Sequence, residues 1–135
     1  MSRFIRPARL VFSIAAVFGV AAVLAACGGT VSSSGPVPSL PAGALAVEAK
    51  EYSFSPSTLS ALAGPVTFAV TNAGNENHEF EVMAGDQSLA KIASFSRGTT
   101  QAVTVSLEAG TYAFACRLNG HDQLGMTGML TVTGG

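Results

Sequence analysis

The sequence predicts an all-β domain, a small sandwich of two sheets, from three observations. Beyond residue 45 apolar residues recur with period 2, as in Val66-Thr67-Phe68-Ala69-Val70, Val103-Thr104-Val105-Ser106-Leu107 and Leu130-Thr131-Val132, and no stretch sustains a helical period. Turn-forming clusters separate these runs at Ser55-Pro56-Ser57, Ala63-Gly64-Pro65, Asn72-Ala73-Gly74-Asn75, Ala84-Gly85-Asp86, Arg97-Gly98 and Glu108-Ala109-Gly110. The 91 residues of 45–135 match the ~100 residues of an immunoglobulin-sized two-sheet domain. The expected core is Phe54, Val66, Phe68, Val70, Phe80, Val82, Val103, Val105, Leu107, Tyr112, Phe114, Leu130 and Val132, with Met83 and Met129 beside it.

Ahead of this domain, Arg3, Arg6 and Arg9 precede a 17-residue stretch, residues 10–26, that is apolar and carries no charge. A basic segment followed by an apolar one is a secretory signal. A stretch of this length is also near the lower limit for a membrane-spanning anchor. Leu24-Ala25-Ala26-Cys27, followed by two glycines, decides for the first: it resembles the bacterial lipobox, where a peptidase cuts before a cysteine that carries diacylglycerol. Residues 1–26 are then a lipoprotein signal peptide and Cys27 is the lipidated N-terminus. Because more than one acyl chain anchors a protein stably, the domain is expected outside the cytoplasm, held on the cell membrane. Residues 27–44 form the tether: 11 of the 17 residues from Gly28 to Ala44 are Gly, Ser or Pro, too polar and too small to order themselves.

Charge narrows the partners. Past the signal, Lys50, Lys91, Arg97 and Arg117 stand against eight acidic residues, four cations minus eight acids leaving −4. A chain of that sign with no basic stripe cannot make the phosphate contacts that nucleic-acid binding requires. Two histidines and two cysteines leave little material for chemistry, and Cys27 and Cys116 allow at most one disulfide if no lipid is added.

Strand parity places the reactive residues. In Asn77-His78-Glu79-Phe80-Glu81-Val82, His78 shares the inward face of Phe80 and Val82, while Glu79 and Glu81 face the other way. In Thr111-Tyr112-Ala113-Phe114-Ala115-Cys116, the same counting turns Cys116 inward at a strand end. A glycine-rich loop follows, with His121 and Met126 at the spacing Cys-x4-His-x4-Met. Each residue alone reads as well as a core histidine, a buried thiol, a surface histidine or a gap-filling methionine. Together, His78, Cys116, His121 and Met126 supply two imidazoles, a thiolate and a thioether, the donor set of a mononuclear type 1 copper centre. A structural zinc site would use stronger ligands than methionine. Met129 is the rival to Met126 for the fourth position.

These residues carry a resemblance to the cupredoxins, the blue copper family, and within them to the cupredoxin-like part of EfeO-type iron-uptake proteins. It covers about residues 47–133 and rests on Glu51-Tyr52-Ser53-Phe54-Ser55-Pro56, Phe68-Ala69-Val70-Thr71-Asn72, Asn77-His78-Glu79-Phe80 and the closing Gly110-Thr111-Tyr112, Cys116, Gly120-His121 and Gly125-Met126-Thr127-Gly128. The resemblance implies a Greek-key β-sandwich with one copper ion near one end, bound by His78, Cys116, His121 and Met126. It has two departures. Arg117-Leu118-Asn119-Gly120 stands where many electron carriers have a proline, and Glu79 stands where Asn or Ser commonly ties the two ligand segments together. Arg117, beside the thiolate, is expected to raise the reduction potential if it lies near the metal.

The function expected is one-electron transfer by Cu(II)/Cu(I) cycling, with the outer edge of His121 as the port, Leu118 and Leu124 beside it for docking, and a transiently met extracytoplasmic redox protein as partner. The alternative is a copper-binding or delivery module, or an EfeO-like component of iron or copper uptake, which would use the same ligands and exchange the same partner for a metal-handling one. An enzyme is not expected: parity buries Cys116, and no third residue orients His121 as a base. The chain is expected to act as a monomer.

Overall fold

In the computed structural model, residues 39–135 are described; the expected signal peptide, Cys27 and the expected tether up to residue 38 lie outside them. Nine strands follow in chain order: β1 (Leu45–Lys50), β2 (Ser53–Ser55), β3 (Thr58–Leu62), β4 (Gly64–Asn72), β5 (His78–Ala84), β6 (Gln87–Phe95), β7 (Thr100–Leu107), β8 (Gly110–Ala115) and β9 (Thr127–Thr133). One sheet has the order β2-β1-β4-β7 and the other β3-β9-β8-β5-β6. The chain crosses between the sheets after β2, β3, β4, β6 and β7, so the strands form the expected Greek-key sandwich. Two pairings are parallel, β1 with β4 and β3 with β9.

Alternation explains which faces meet. Val66, Phe68 and Val70 of β4, Phe80 and Val82 of β5, Phe114 of β8, and Leu130 and Val132 of β9 all lie in one buried cluster drawn from both sheets. At its centre Phe54, Phe68, Phe80 and Phe114 pack ring against ring, with centroids 5.2–5.5 Å apart; the two pairs made by Phe54 are edge to face, an arrangement aromatic quadrupoles favour. Gly128 shows how tight the fit is. A Cβ there would strike the Phe114 ring and approach the Ser57 carbonyl to 2.7 Å, so no larger residue fits where β9 begins.

Three parts of the sequence-derived core are revised. Val103, Val105 and Tyr112 are only half-buried at its margin. Met129 is 54% exposed: the register of β9 sends Leu130 and Val132 inward and their neighbours out. Glu79 and Glu81 do face away from the core, yet both are buried, because β5 lies between β6 and β8 and the side chains of Lys91 and Arg117 fold over them.

Candidate metal centre

The site forms where the end of β8, the start of β5 and the loop from β8 to β9 meet. Cys116 follows β8, and its backbone N–H donates to the carbonyl of Met126 at 3.0 Å, while the N–H of Met126 donates to the carbonyl of His121 at 3.1 Å. These two bonds fold the loop back on itself, so that all three residues of Cys-x4-His-x4-Met come to one place. Between them, residues Leu118–Leu124 form two short 3₁₀ turns joined at Asn119 and Gly120, with φ of 51° and 80°. Gly125, at φ 104°, ends the segment in the left-handed region that glycine adopts without strain. The loop expected from sequence is therefore an ordered one.

His78 arrives from the other side, and Asn72 is what delivers it. This fully buried side chain closes the turn between β4 and β5: its Oδ1 accepts the N–H of Gly74 at 3.0 Å, and its Nδ2 donates to the carbonyls of Glu76 at 2.7 Å and Phe95 at 3.0 Å. Asn72 belongs to a segment that carried the resemblance, but nothing in the sequence marks it as the residue that anchors this turn. Such anchoring is a contact at a distance, legible only once β4, β5 and β6 are placed.

The result is a cluster of three buried side chains. One donor atom from each of His78, Cys116 and His121 lies within 4.8 Å of the others. Cys116 Sγ is 3.5 Å from His121 Nδ1. Met126 is also fully buried and its carbonyl accepts the Cys116 N–H, whereas Met129, its rival from the sequence, is exposed. Both ring nitrogens of His78 lack a hydrogen-bond partner. Nε2 does lie 3.5 Å from a Glu51 oxygen, an ion-pair distance without hydrogen-bond geometry. A buried polar side chain with no partner is costly, and at His78 the cost falls beside a free buried thiol. His78, Cys116 and His121, with Met126, thus form a possible metal site whose donors are soft and borderline.

Burial sets the protonation states. It pushes the Cys116 thiol up and the His78 imidazole down, the latter despite the Glu51 carboxylate nearby. The metal-free centre therefore holds a neutral imidazole and a thiol, and a metal that takes the thiolate releases a proton. Glu51 goes the opposite way. The N–H of Glu76, its own N–H and that of Asn75 hold its carboxyl down at about 2, from an ordinary 4.5. Its contribution to stability is then present above pH 4.5 and is lost as the pH falls toward 2. In the metal-free protein, the difference in Tm between wild type and Glu51→Gln is expected to be greatest above pH 4.5 and to shrink steadily as the pH falls toward 2; thermal melts across that range check it, and a difference that does not change with pH contradicts it.

The two departures noted in the sequence resolve differently. Glu79 does tie the ligand segments: its N–H donates to Cys116 Sγ at 3.3 Å, its Oε1 accepts the N–H of Arg117 at 3.1 Å, and its Oε2 pairs with Lys91 at 3.0 Å. Arg117 departs from expectation, since its guanidinium Nε is 3.7 Å from Glu81 on the outer face and its side chain is half-exposed. Its charge is therefore compensated and directed away from the core face where the donors lie. The edge of His121 is also closed rather than open. The residue is 3% exposed, with Nε2 3.3 Å from Glu76 Oε2 and the Tyr52 ring edge-on at 4.8 Å. Leu124 stands out at 60% exposed, while Leu118 packs partly into the core.

Comparison with known proteins agrees with this fold. Auracyanin B superposes with a TM-score of 0.63 at 25% identity, covering 72% of this chain and 93% of its own. Auracyanin A, described as a "blue" copper protein of the green thermophilic photosynthetic bacterium Chloroflexus aurantiacus, gives 0.55 at 21% identity, covering 67% and 100%. A purple cupredoxin from Nitrosopumilus maritimus gives 0.53 at 20% identity, covering 65% and 98%. No curated protein matches the chain by sequence. The family profile of the cupredoxin-like domain matches residues 17–132, and the chain belongs to that family.

Proposed function

We propose that the chain is a one-electron carrier that binds a single copper ion through His78, Cys116, His121 and Met126, and that Cys27, once lipidated, holds it on the outer side of the cell membrane. The observation that carries this is the convergence of two imidazoles and a thiol within 4.8 Å, all buried, beside a buried methionine. Copper supplies a Cu(II)/Cu(I) couple that such a donor set accommodates, since thiolate and thioether favour the reduced ion and imidazole suits both. The chain's own residues do the rest. The bonds Cys116 N–H to Met126 and Met126 N–H to His121 fix three donors on one loop. Asn72 fixes the approach of the fourth, and the aromatic cluster beneath excludes water. Exposed Leu124 offers an apolar contact to a partner met briefly, and a membrane tether raises the effective concentration of a membrane-bound one.

A copper-delivery or uptake role, the second reading, draws on one feature: His121 presents no open imidazole edge. The two are separated by voltammetry and metal transfer on the copper-loaded protein. A carrier gives a reversible one-electron wave with fast self-exchange and keeps its metal against a competing chelator. Sluggish redox with ready loss of copper to an acceptor would replace the carrier with the delivery module.

A further inference from the structure

The side chains outside the metal centre are arranged for more than shielding. His121 turns Nδ1 toward Cys116 Sγ at 3.5 Å and Nε2 toward Glu76 Oε2 at 3.3 Å, the second an ion-pair distance. Glu76 is held in place from three directions. Its N–H donates to Glu51 Oε1 at 2.6 Å, its carbonyl accepts from Asn72 at 2.7 Å, and its Oε1 accepts the Tyr52 hydroxyl at 3.4 Å. The Tyr52 ring then packs edge-on against His121. Glu51 also accepts the N–H of Asn75 and lies 3.5 Å from His78 Nε2, so a carboxylate faces the outer nitrogen of each imidazole.

A carboxylate only accepts hydrogen bonds, whereas a neutral imidazole has one nitrogen that donates and one that accepts. Placing a carboxylate against Nε2 favours the tautomer with its proton on Nε2, which leaves the Nδ1 lone pair directed at the thiol. Outer carboxylates of this kind orient metal-binding imidazoles and raise their basicity.

We propose that Glu76, braced by Glu51, Tyr52 and Asn72, is a positioning residue that accepts a hydrogen bond from the Nε2–H of His121, presents Nδ1 to the metal, and through its negative charge biases the centre toward Cu(II). The first part concerns the metal-free chain; the second rests on the copper-binding function proposed above. Glu76 is half-exposed, so its replacement leaves the core intact.

Two measurements test it. In metal-free protein at about pH 8, nitrogen-15 shifts are expected to show His121 protonated on Nε2 in wild type and in Glu76→Gln, whose amide oxygen still accepts, and to show that preference lost in Glu76→Ala. In copper-loaded protein, Glu76→Gln is expected to raise the midpoint potential and to weaken Cu(II) binding about tenfold, with less effect on Cu(I). An unchanged tautomer in Glu76→Ala overturns the positioning role, and a potential that stays put or falls in Glu76→Gln overturns the charge effect. Wild-type protein that never acquires a thiolate-to-copper band removes the copper reading and the charge effect with it, while the tautomer measurement still decides the positioning role.

Discussion

Asn72→Ala is expected to destabilise the metal-free protein by about 3 kcal/mol and to weaken metal binding as well. The side chain makes three hydrogen bonds while fully buried, and each is worth roughly 1 kcal/mol, more where a buried partner is left unpaired. The Phe95 carbonyl is one such partner, and Phe95 pairs with His78 across β5 and β6. Losing Asn72 therefore frees the turn that sets both His78 and Glu76. Chemical denaturation gives the stability, and a chelator competition gives the affinity. A variant with wild-type stability, or one destabilised with unchanged metal affinity, would show that the turn is held by other bonds.

Cys116→Ser is expected to abolish the strong visible absorption of the copper form while leaving the fold in place. Serine is close to cysteine in size and the site is buried, so the loss is chemical: the alcohol stays protonated near neutral pH and is a poor ligand for either copper state. The loop bonds run through the backbone of Cys116 and Met126 rather than the thiol, and they survive the change. Visible spectra of the two proteins with equimolar Cu(II), beside their far-UV circular dichroism, check this. An undiminished band in the variant would place the ligand elsewhere.

Much of this centre is legible in the sequence because its chemistry is concentrated in few residues. Cys116, His121 and Met126 lie within eleven consecutive positions, and strand parity alone turns His78 and Cys116 to one face. The strands rich in alternating Val and Phe, such as Val66–Val70, follow for the same reason. What escaped depends on partners distant in the chain. Glu51 acts on Asn75 and Glu76 24 and 25 residues away, so its role is not visible in any local pattern. β6 lacks clean alternation because its pairing with β5 shifts register between His78 and Phe80 and between Val82 and Met83, which lets Ile92 and Phe95 into the core out of phase. Glu79 and Glu81 look like solvated residues by parity; only the flanking strands and the cations of Lys91 and Arg117 show why they are buried.

The most direct test of the central claim is a titration of the metal-free domain with Cu(II), followed in the visible range. The account predicts an intense thiolate-to-copper band that grows linearly and saturates at one equivalent, accompanied by loss of the free Cys116 thiol. A colourless protein, or a band that keeps growing past one equivalent while the thiol stays titratable, would contradict it.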